Sequence, residues 1–119
     1  MTGPGPYGEA ANLSARPDPT HVVIASPLEP ELVERIRDVD RERLRVTHEP
    51  ALLPRARFAS DHAGIRPDLD AAGVRRWLAI LRSADVLFDL DWYAPAELAT
   101  NAQRLRWVQA SKSGVGESL

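Results

Sequence analysis

The sequence predicts an α/β domain built on a parallel sheet of about four strands that alternate with helices, with the sheet left incomplete. Three observations support this prediction. Short β-branched apolar runs recur along the chain, stretches with helical apolar spacing separate them, and prolines or glycines stand at the junctions. Alternation of this kind implies right-handed βαβ units, whose parallel strands are covered on both faces.

The first half of the domain begins with a predicted strand at His21–Ser26, a nearly continuous apolar run that Pro27 ends. Pro30 suits the first turn of a helix, where its missing N–H costs nothing. Apolar residues then recur at helical spacing on one face: Leu32, Val33, Ile36 and Val39. A second strand is predicted at Arg43–His48. Apolar and charged residues alternate along it, so one of its faces should contact solvent, which favours a position nearer to the sheet edge.

The second half begins with a long loop at residues 49–73, which is predicted to be functional, mobile or interrupted by a short helical turn. A helix is predicted at about 70–84, a third strand at 86–88, a helix start at Pro95 and a fourth strand at 105–110. Because no helix is predicted after the fourth strand, we expect exposed apolar surface and low stability. Residues 1–20, which are rich in proline and glycine, are predicted to be a disordered tail, so the domain proper is 21–119.

Composition excludes several classes of function. The chain has 119 residues, enough for one domain, and its net charge of −2 favours neither nucleic acid nor an anionic membrane as partner. Without cysteine it can form no disulfide, thiolate zinc site or cysteine nucleophile. The N-terminus lacks the pattern of a secretory signal, and no apolar run is long enough to span a bilayer. We therefore expect a soluble, cytoplasmic protein.

The glycine-containing segment after the fourth strand is the most informative candidate site. It fails as a phosphate loop, because Glu117 stands where that motif needs lysine. Its small residues leave the backbone N–H groups of Ser113, Gly114 and Val115 accessible, which suits an anion such as a carboxylate. The alternative is a plain glycine-rich turn that leads the chain away from the strand.

Acidic residues bracket the third strand at Asp85, Asp89 and Asp91, and we expect them to be solvated loop carboxylates or a helix N-cap. A metal site built from Asp89 and Asp91 alone would have too few ligands. A phosphoacceptor domain of the receiver type would also need an acidic pair at the end of the first strand. Ala25 and Ser26 stand there instead.

The histidines and aromatic residues give weaker indications. None of the histidines has zinc-ligand spacing, and all three are predicted to be surface or loop residues: His21, His48 and His62. Only His62 is a candidate for a ligand contact. Trp77 and Trp107 are predicted to lie in the core, whereas Trp92 and Tyr93 either line a pocket or cap the fold.

Three segments together resemble the D-isomer-specific 2-hydroxyacid dehydrogenase family: residues 21–36, 75–92 and 105–117. The most specific part is a strand that ends in Trp-Val-Gln, then small residues, then Gly-Val. The resemblance implies the first part of a flavodoxin-like substrate-binding domain from an NAD(P)-dependent oxidoreductase that interconverts 2-oxo and D-2-hydroxy acids. It also implies that the amides of Ser113 and Gly114, with Val115 adjacent, hold the substrate carboxylate and that Phe88 lines the pocket.

The departures from the family pattern concern catalysis. Gly116-Glu117 stands where members usually carry an Asp, and the sequence has no counterpart of the dinucleotide domain, the substrate-gripping Arg or the Glu–His pair. Hydride transfer needs the cofactor, a positioned carbonyl and a general acid together. We therefore expect the chain to bind no NAD(P) and to be inactive alone. Two alternatives remain open: a stand-alone carboxylate-binding module, or one half of a split enzyme that docks with a separate NAD-binding domain.

Overall fold

A computed structural model of the protein describes residues 18–111, in which strands and helices alternate as predicted. In chain order the elements are β1 (Thr20–Ile24), α1 (Pro30–Arg37), β2 (Leu44–Thr47), a 3-10 turn (Pro50–Leu52), α2 (Ala71–Arg82), β3 (Val86–Phe88), a second 3-10 turn (Pro95–Glu97), α3 (Leu98–Asn101) and β4 (Trp107–Gln109). Of the predicted tail only residues 18–20 are described, and Thr20 already begins β1. No helix among these residues combines the length and the apolar character that a bilayer span requires.

The strands form one parallel sheet in the order β2-β1-β3-β4. β2 is an edge strand, as its alternating pattern predicts. The arrangement is that of an incomplete flavodoxin-like fold, whose complete strand order is 2-1-3-4-5. β1 and β3 are therefore the two central strands, and their ends are the best-enclosed positions in the sheet.

The core forms two layers, one on each face of the sheet. On one face, Val23 of β1 and Leu87 of β3 pack with Trp77 of α2. On the other face, Ile24 of β1 packs with Val33 of α1. Successive residues of a strand point to opposite faces, and both faces of β1 are buried. This double burial explains why the β1 run is apolar without alternation.

The first helix is shorter than predicted. It ends at Arg37, and Val39, which was expected to continue its apolar face, is 76% exposed. The side chain of Asp40 accepts hydrogen bonds from the backbone N–H groups of Glu42 (3.2 Å) and Arg43 (3.1 Å). Local bonds of this kind compete with helical hydrogen bonding, and they accompany the turn of the chain into β2.

Trp107 was expected in the core, and this prediction is wrong, since the residue is 61% exposed. α1 packs on Ile24 of β1 and Val46 of β2, and no helix among residues 18–111 covers the β4 half of the same face. An apolar groove of about 680 Å³ opens there, with Val86, Phe88 and Trp107 in its lining. The expected exposed apolar surface is therefore present within the described residues.

The long loop predicted at 49–73 contains a short helical turn at Pro50–Leu52, one of the alternatives left open for it. Leu52 and Leu53 are buried in the core. Beyond them the chain turns back on itself, and Arg55 and Ile65 exchange two backbone hydrogen bonds of 2.9 Å. We call residues 55–65 the 55–65 loop. These two hydrogen bonds join its two ends.

His21 is buried in β1, so its predicted surface position is wrong. Its Nδ1 lies 3.1 Å from the carbonyl oxygen of Ser83, and its Nε2 lies 2.6 Å from the hydroxyl oxygen of Thr47. Burial lowers the pKa of His21, and the hydrogen bond with the Ser83 backbone only partly opposes this effect. The position is enclosed by Thr47 of β2 and by Ser83 at the end of α2, and a run of residue types does not reveal these contacts.

We expect the free energy of unfolding to decrease as the pH falls below about 6.5, the ordinary pKa of histidine. Burial is the main cause that lowers the pKa of both His21 and His48 in the folded chain. As the pH falls, the unfolded chain therefore binds protons before the folded chain does. The contribution of each neutral histidine to the free energy of unfolding is complete above about pH 6.5 and is lost as the pH falls toward its lowered pKa. The loss is at most about 1.4 kcal/mol per pH unit for each histidine.

Urea unfolding followed by circular dichroism at about pH 7.5, 6.5 and 5.5 covers this window. The pKa of Asp85 is also lowered, mainly by the backbone N–H of His21. Its contribution to stability is present above the ordinary Asp value of about 3.9 and is lost only below it. If the free energy of unfolding at about pH 5.5 equals or exceeds that at about pH 6.5, the prediction for the histidines is wrong.

Candidate functional site

The carboxyl ends of β1 and β3 lie side by side, and the chain leaves them toward opposite faces of the sheet. α1, which follows β1, packs in the layer of Ile24, whereas α3, which follows β3, packs through Leu98 in the layer of Val23. Such a switch point is where open α/β sheets bind ligands. A cleft of about 260 Å³ opens here, and its polar and aromatic lining comes from Ser26, His62, Asp89, Asp91, Trp92 and Ser111.

Asp89 joins the segment after β3 to the segment after β4. Its carboxylate accepts hydrogen bonds from the backbone N–H of Ser111 at 2.7 Å and from the hydroxyl of Ser111 at 2.9 Å. Its own N–H donates to the carbonyl oxygen of Gln109 at 2.7 Å. Asp89 has a φ of 70°, a left-handed conformation that Asp tolerates better than most residues. This conformation places a carboxylate directly after the strand, where it holds Ser111 at the cleft.

Asp91 organises the turn that follows. It is buried, and its carboxylate accepts hydrogen bonds from the indole N–H of Trp77 at 2.9 Å and from the backbone N–H groups of Tyr93 (2.9 Å) and Ala94 (3.0 Å). Asp89 and Asp91 are thus loop carboxylates, as predicted, but they are buried and hydrogen-bonded rather than solvated. Within residues 18–111 no three acidic or histidine side chains are grouped to hold a metal ion.

Ser26 is the first residue after β1 that has a polar side chain, and it is only 2% exposed. Its Oγ is buried and has no hydrogen-bond partner among the described residues. The backbone around it is well anchored, because the N–H of Ala25 donates to the carbonyl oxygen of Phe88 and the N–H of Leu28 donates to that of Ser26. The rigid segment after β1 therefore contains a residue that lines the cleft and whose buried hydroxyl is unpaired among the described residues.

His62 reaches the cleft from the 55–65 loop. Its Nε2 lies 2.9 Å from Oε1 of Glu29, whose other oxygen accepts a hydrogen bond from the backbone N–H of Ser60 at 3.1 Å. The hydrogen bond with His62 is the main cause that lowers the pKa of Glu29. The loop is thus tied to the turn between β1 and α1, which is the same turn that contains Ser26.

A second carboxylate shapes the 55–65 loop from within. Asp61 accepts hydrogen bonds from the guanidinium of Arg57 at 2.7 Å and from the backbone N–H groups of Arg57 (3.0 Å) and Gly64 (3.1 Å). The bond with the Arg57 guanidinium is the main cause that holds the pKa of Asp61 far below its usual range. Gly64 has a φ of 69°, and a Cβ there would lie 2.9 Å from the carbonyl oxygen of Arg55, so the turn requires glycine.

Aromatic packing closes the remaining side of the cleft. Trp92 lines the cleft and stacks on Trp77 with a centroid distance of 5.8 Å. Arg66 lies over the rings of Trp92 (5.3 Å) and Tyr93 (5.6 Å), and it donates a hydrogen bond to the carbonyl oxygen of Trp92 at 2.8 Å. Of the two residues predicted to line a pocket or cap the fold, Trp92 lines the cleft and Tyr93 packs behind it.

The predicted site residues fall into two groups. Ser113, Gly114 and Val115 lie outside the described residues. Phe88 belongs to the layer of α1 and lines the apolar groove, and its backbone carbonyl accepts a hydrogen bond from the N–H of Ala25. Sequence reasoning missed Ser26 as a site residue. The available signal was its position directly after a central strand, at the edge where ligands bind.

No family model matches the chain, and no curated protein or solved structure matches it either.

We expect Trp77→Phe to lower the free energy of unfolding by roughly 1–3 kcal/mol, because buried Asp91 loses one of its N–H donors. Trp107→Phe is the matched control at an exposed position, where a change within about 0.5 kcal/mol is expected. Urea unfolding of both variants measures the difference. Equal losses in the two variants, or no loss in Trp77→Phe, would show that the bond between Trp77 and Asp91 does not stabilise the fold.

Proposed function

We propose that this chain is the substrate-binding part of an NAD(P)-dependent oxidoreductase of D-2-hydroxy acids and that its cleft binds a small 2-oxo or 2-hydroxy acid. The observation that carries the proposal concerns Ser26, a residue that lines the cleft at the switch point and whose buried hydroxyl has no hydrogen-bond partner among the described residues. The resemblance of the sequence supplies the chemical class of the ligand.

The size of the cleft supports a small ligand. Its volume of about 260 Å³ is below the roughly 300–1,000 Å³ of sites that hold drug-sized molecules. A molecule the size of lactate or pyruvate fits such a space, whereas a dinucleotide is far too large for it. The cleft is therefore better suited to the acid than to the cofactor.

The unpaired hydroxyl of Ser26 supports a ligand that accepts hydrogen bonds. Leaving a buried donor without a partner costs roughly 1–3 kcal/mol, and most buried polar groups in folded proteins avoid this cost. A carboxylate or carbonyl oxygen in the cleft can accept the hydrogen of Ser26 once a small movement of the lining uncovers the buried Oγ. Binding of the acid would then restore the missing hydrogen bond.

A second set of donors follows β4. Asp89 holds Ser111 at the cleft through two hydrogen bonds of 2.7 and 2.9 Å, and the predicted carboxylate loop begins two residues later. Extended chain spans at most about 7 Å over the two residues from Ser111 to Ser113 and about 11 Å over the three to Gly114, so chain length allows both amides to contact a ligand beside Ser111. Their role as carboxylate donors remains a prediction from the resemblance.

The described residues do not fit the NAD(P) that such an oxidoreductase uses. In a dinucleotide-binding fold the first βα turn is rich in glycine, but the turn from Ser26 to Glu29 contains none. Glu29 is the N-cap of α1, and its carboxylate would repel a pyrophosphate at the helix N-terminus. We therefore assign no hydride-transfer step to this cleft.

Titration of ¹⁵N-labelled protein with D-lactate or pyruvate is expected to shift the amide signals of Ser26, Ser111 and Ser113 in a saturable manner at millimolar concentrations. Ser26→Ala should weaken binding by roughly 10- to 150-fold, because a hydrogen bond to a charged group contributes about 1.5–3 kcal/mol. The same change should leave the free energy of unfolding equal or higher, because it removes an unpaired buried hydroxyl.

Ser83→Ala is the control at the opposite edge of the sheet. The hydroxyl of Ser83 donates a hydrogen bond to the carbonyl oxygen of Ile80 at 2.9 Å, so this variant should lose stability and keep its affinity for lactate. Amide signals that do not move with either acid would refute the proposed function. Oxidation of NADH by the isolated chain in the presence of pyruvate would contradict only the expectation that the chain is inactive alone.

A further inference from the structure

The charges around the cleft are unbalanced. Among the described residues that line it, Asp89 and Asp91 are acidic, and His62 is the one residue able to carry a positive charge. The acidic side chains are fully engaged with N–H and O–H donors from Ser111, Trp77 and the turn after Asp91. An anionic ligand in the cleft would lie beside these carboxylates, so it needs a positive partner there.

The nearby arginines do not supply this partner. Arg66 lies over the rings of Trp92 and Tyr93 and donates to a backbone carbonyl, and it does not line the cleft. Arg57 forms an ion pair of 2.7 Å with Asp61 inside the 55–65 loop. Neither arginine is therefore placed to bind an anion in the cleft.

His62 has a free bonding position for a ligand. Its Nε2 is paired with Glu29, and its Nδ1 has no hydrogen-bond partner among the described residues. Both ring nitrogens of a protonated imidazole are donors. An imidazolium can therefore keep its bond to Glu29 and donate a charge-assisted hydrogen bond from Nδ1 to a carboxylate.

The orientation of this ring is maintained by the elements around it. Glu29 comes from the turn before α1, and Asp61, on the same loop as His62, is neutralised by Arg57. The 55–65 loop is closed at its base by the two hydrogen bonds between Arg55 and Ile65. Rigid support of this kind reduces the entropy lost when a side chain binds a ligand.

We infer that His62 determines the specificity of the cleft: as an imidazolium held by Glu29, it selects a carboxylate over the neutral amide of the same molecule. The inference rests on the proposed function and names the residue that recognises the charge of the acid. A lower pH favours the imidazolium over the neutral ring, and only the imidazolium donates from both ring nitrogens, so binding of the acid strengthens as the pH falls.

The test compares D-lactate with D-lactamide, its neutral counterpart, by amide chemical shifts at about pH 6 and about pH 8. The unaltered chain should bind lactate several-fold more tightly at the lower pH, because protonation of the His62 ring is more complete there. Lactamide should bind weakly and equally at both values. Circular dichroism recorded at each pH verifies that every sample is folded.

Two variants separate charge from shape. His62→Gln keeps an N–H donor for Glu29 but cannot become cationic, so it should bind lactate weakly at both pH values. His62→Lys carries a positive charge at both values, so it should bind lactate at both and lose the pH dependence. The two variants differ chiefly in charge, which makes the comparison insensitive to a general loss of loop structure.

The outcomes distinguish this inference from the proposed function. If the unaltered chain binds lactate equally at both pH values, or if His62→Gln binds as tightly as the unaltered chain, the role of His62 is overturned and the proposed function stands. If both variants are folded and neither binds lactate, charge at this position is not the determinant and the inference is also overturned. If the unaltered chain binds no lactate at either pH, the proposed function and the inference fall together.

Discussion

The parallel pairing of β1 with β3 is the constraint on which the rest of the structure depends. It aligns Ile24 with Phe88, so the two strands end together at one edge of the sheet. Because α1 and α3 then pack on opposite faces of the sheet, the segments that follow the two strands separate and leave a cleft between them. The same topology places α1 over β1 and β2, so the β4 half of that face has no helix among the described residues. The cleft and the apolar groove thus share one origin.

Hydrogen bonding separates the structural polar groups of the cleft from those available to a ligand. Asp89, Asp91 and Asp61 each accept several hydrogen bonds from backbone or side-chain donors, and these bonds hold the surrounding loops. Ser26 and His62 keep unused bonding capacity at the same place. Because an unpaired buried donor is costly, this distribution is consistent with the binding role that we propose for the cleft, whose surrounding loops the acidic residues hold.

Most of the fold could be predicted because its pattern is local. The apolar run at Val86–Phe88 was placed without error, and the helical spacing around Trp77 located α2 to within a few residues. The failures have tertiary causes. Trp107 is exposed because no described helix covers its side of β4, and His21 is buried between Thr47 of β2 and Ser83 at the end of α2. The residue type at one position does not reveal which elements lie next to that residue in the folded chain.

The sequence by itself determined the order of strands and helices, the parallel sheet and the edge at which a ligand would bind. These follow from periodicity and from the handedness of βαβ connections, which depend on near neighbours in the chain. Only the tertiary structure decided which side chains meet at that edge. His62 and Glu29 are thirty-three positions apart, and their contact depends on how the 55–65 loop folds back over the turn after β1. A local sequence pattern does not reveal a contact between residues so far apart in the chain, because that contact results from the packing of the whole domain.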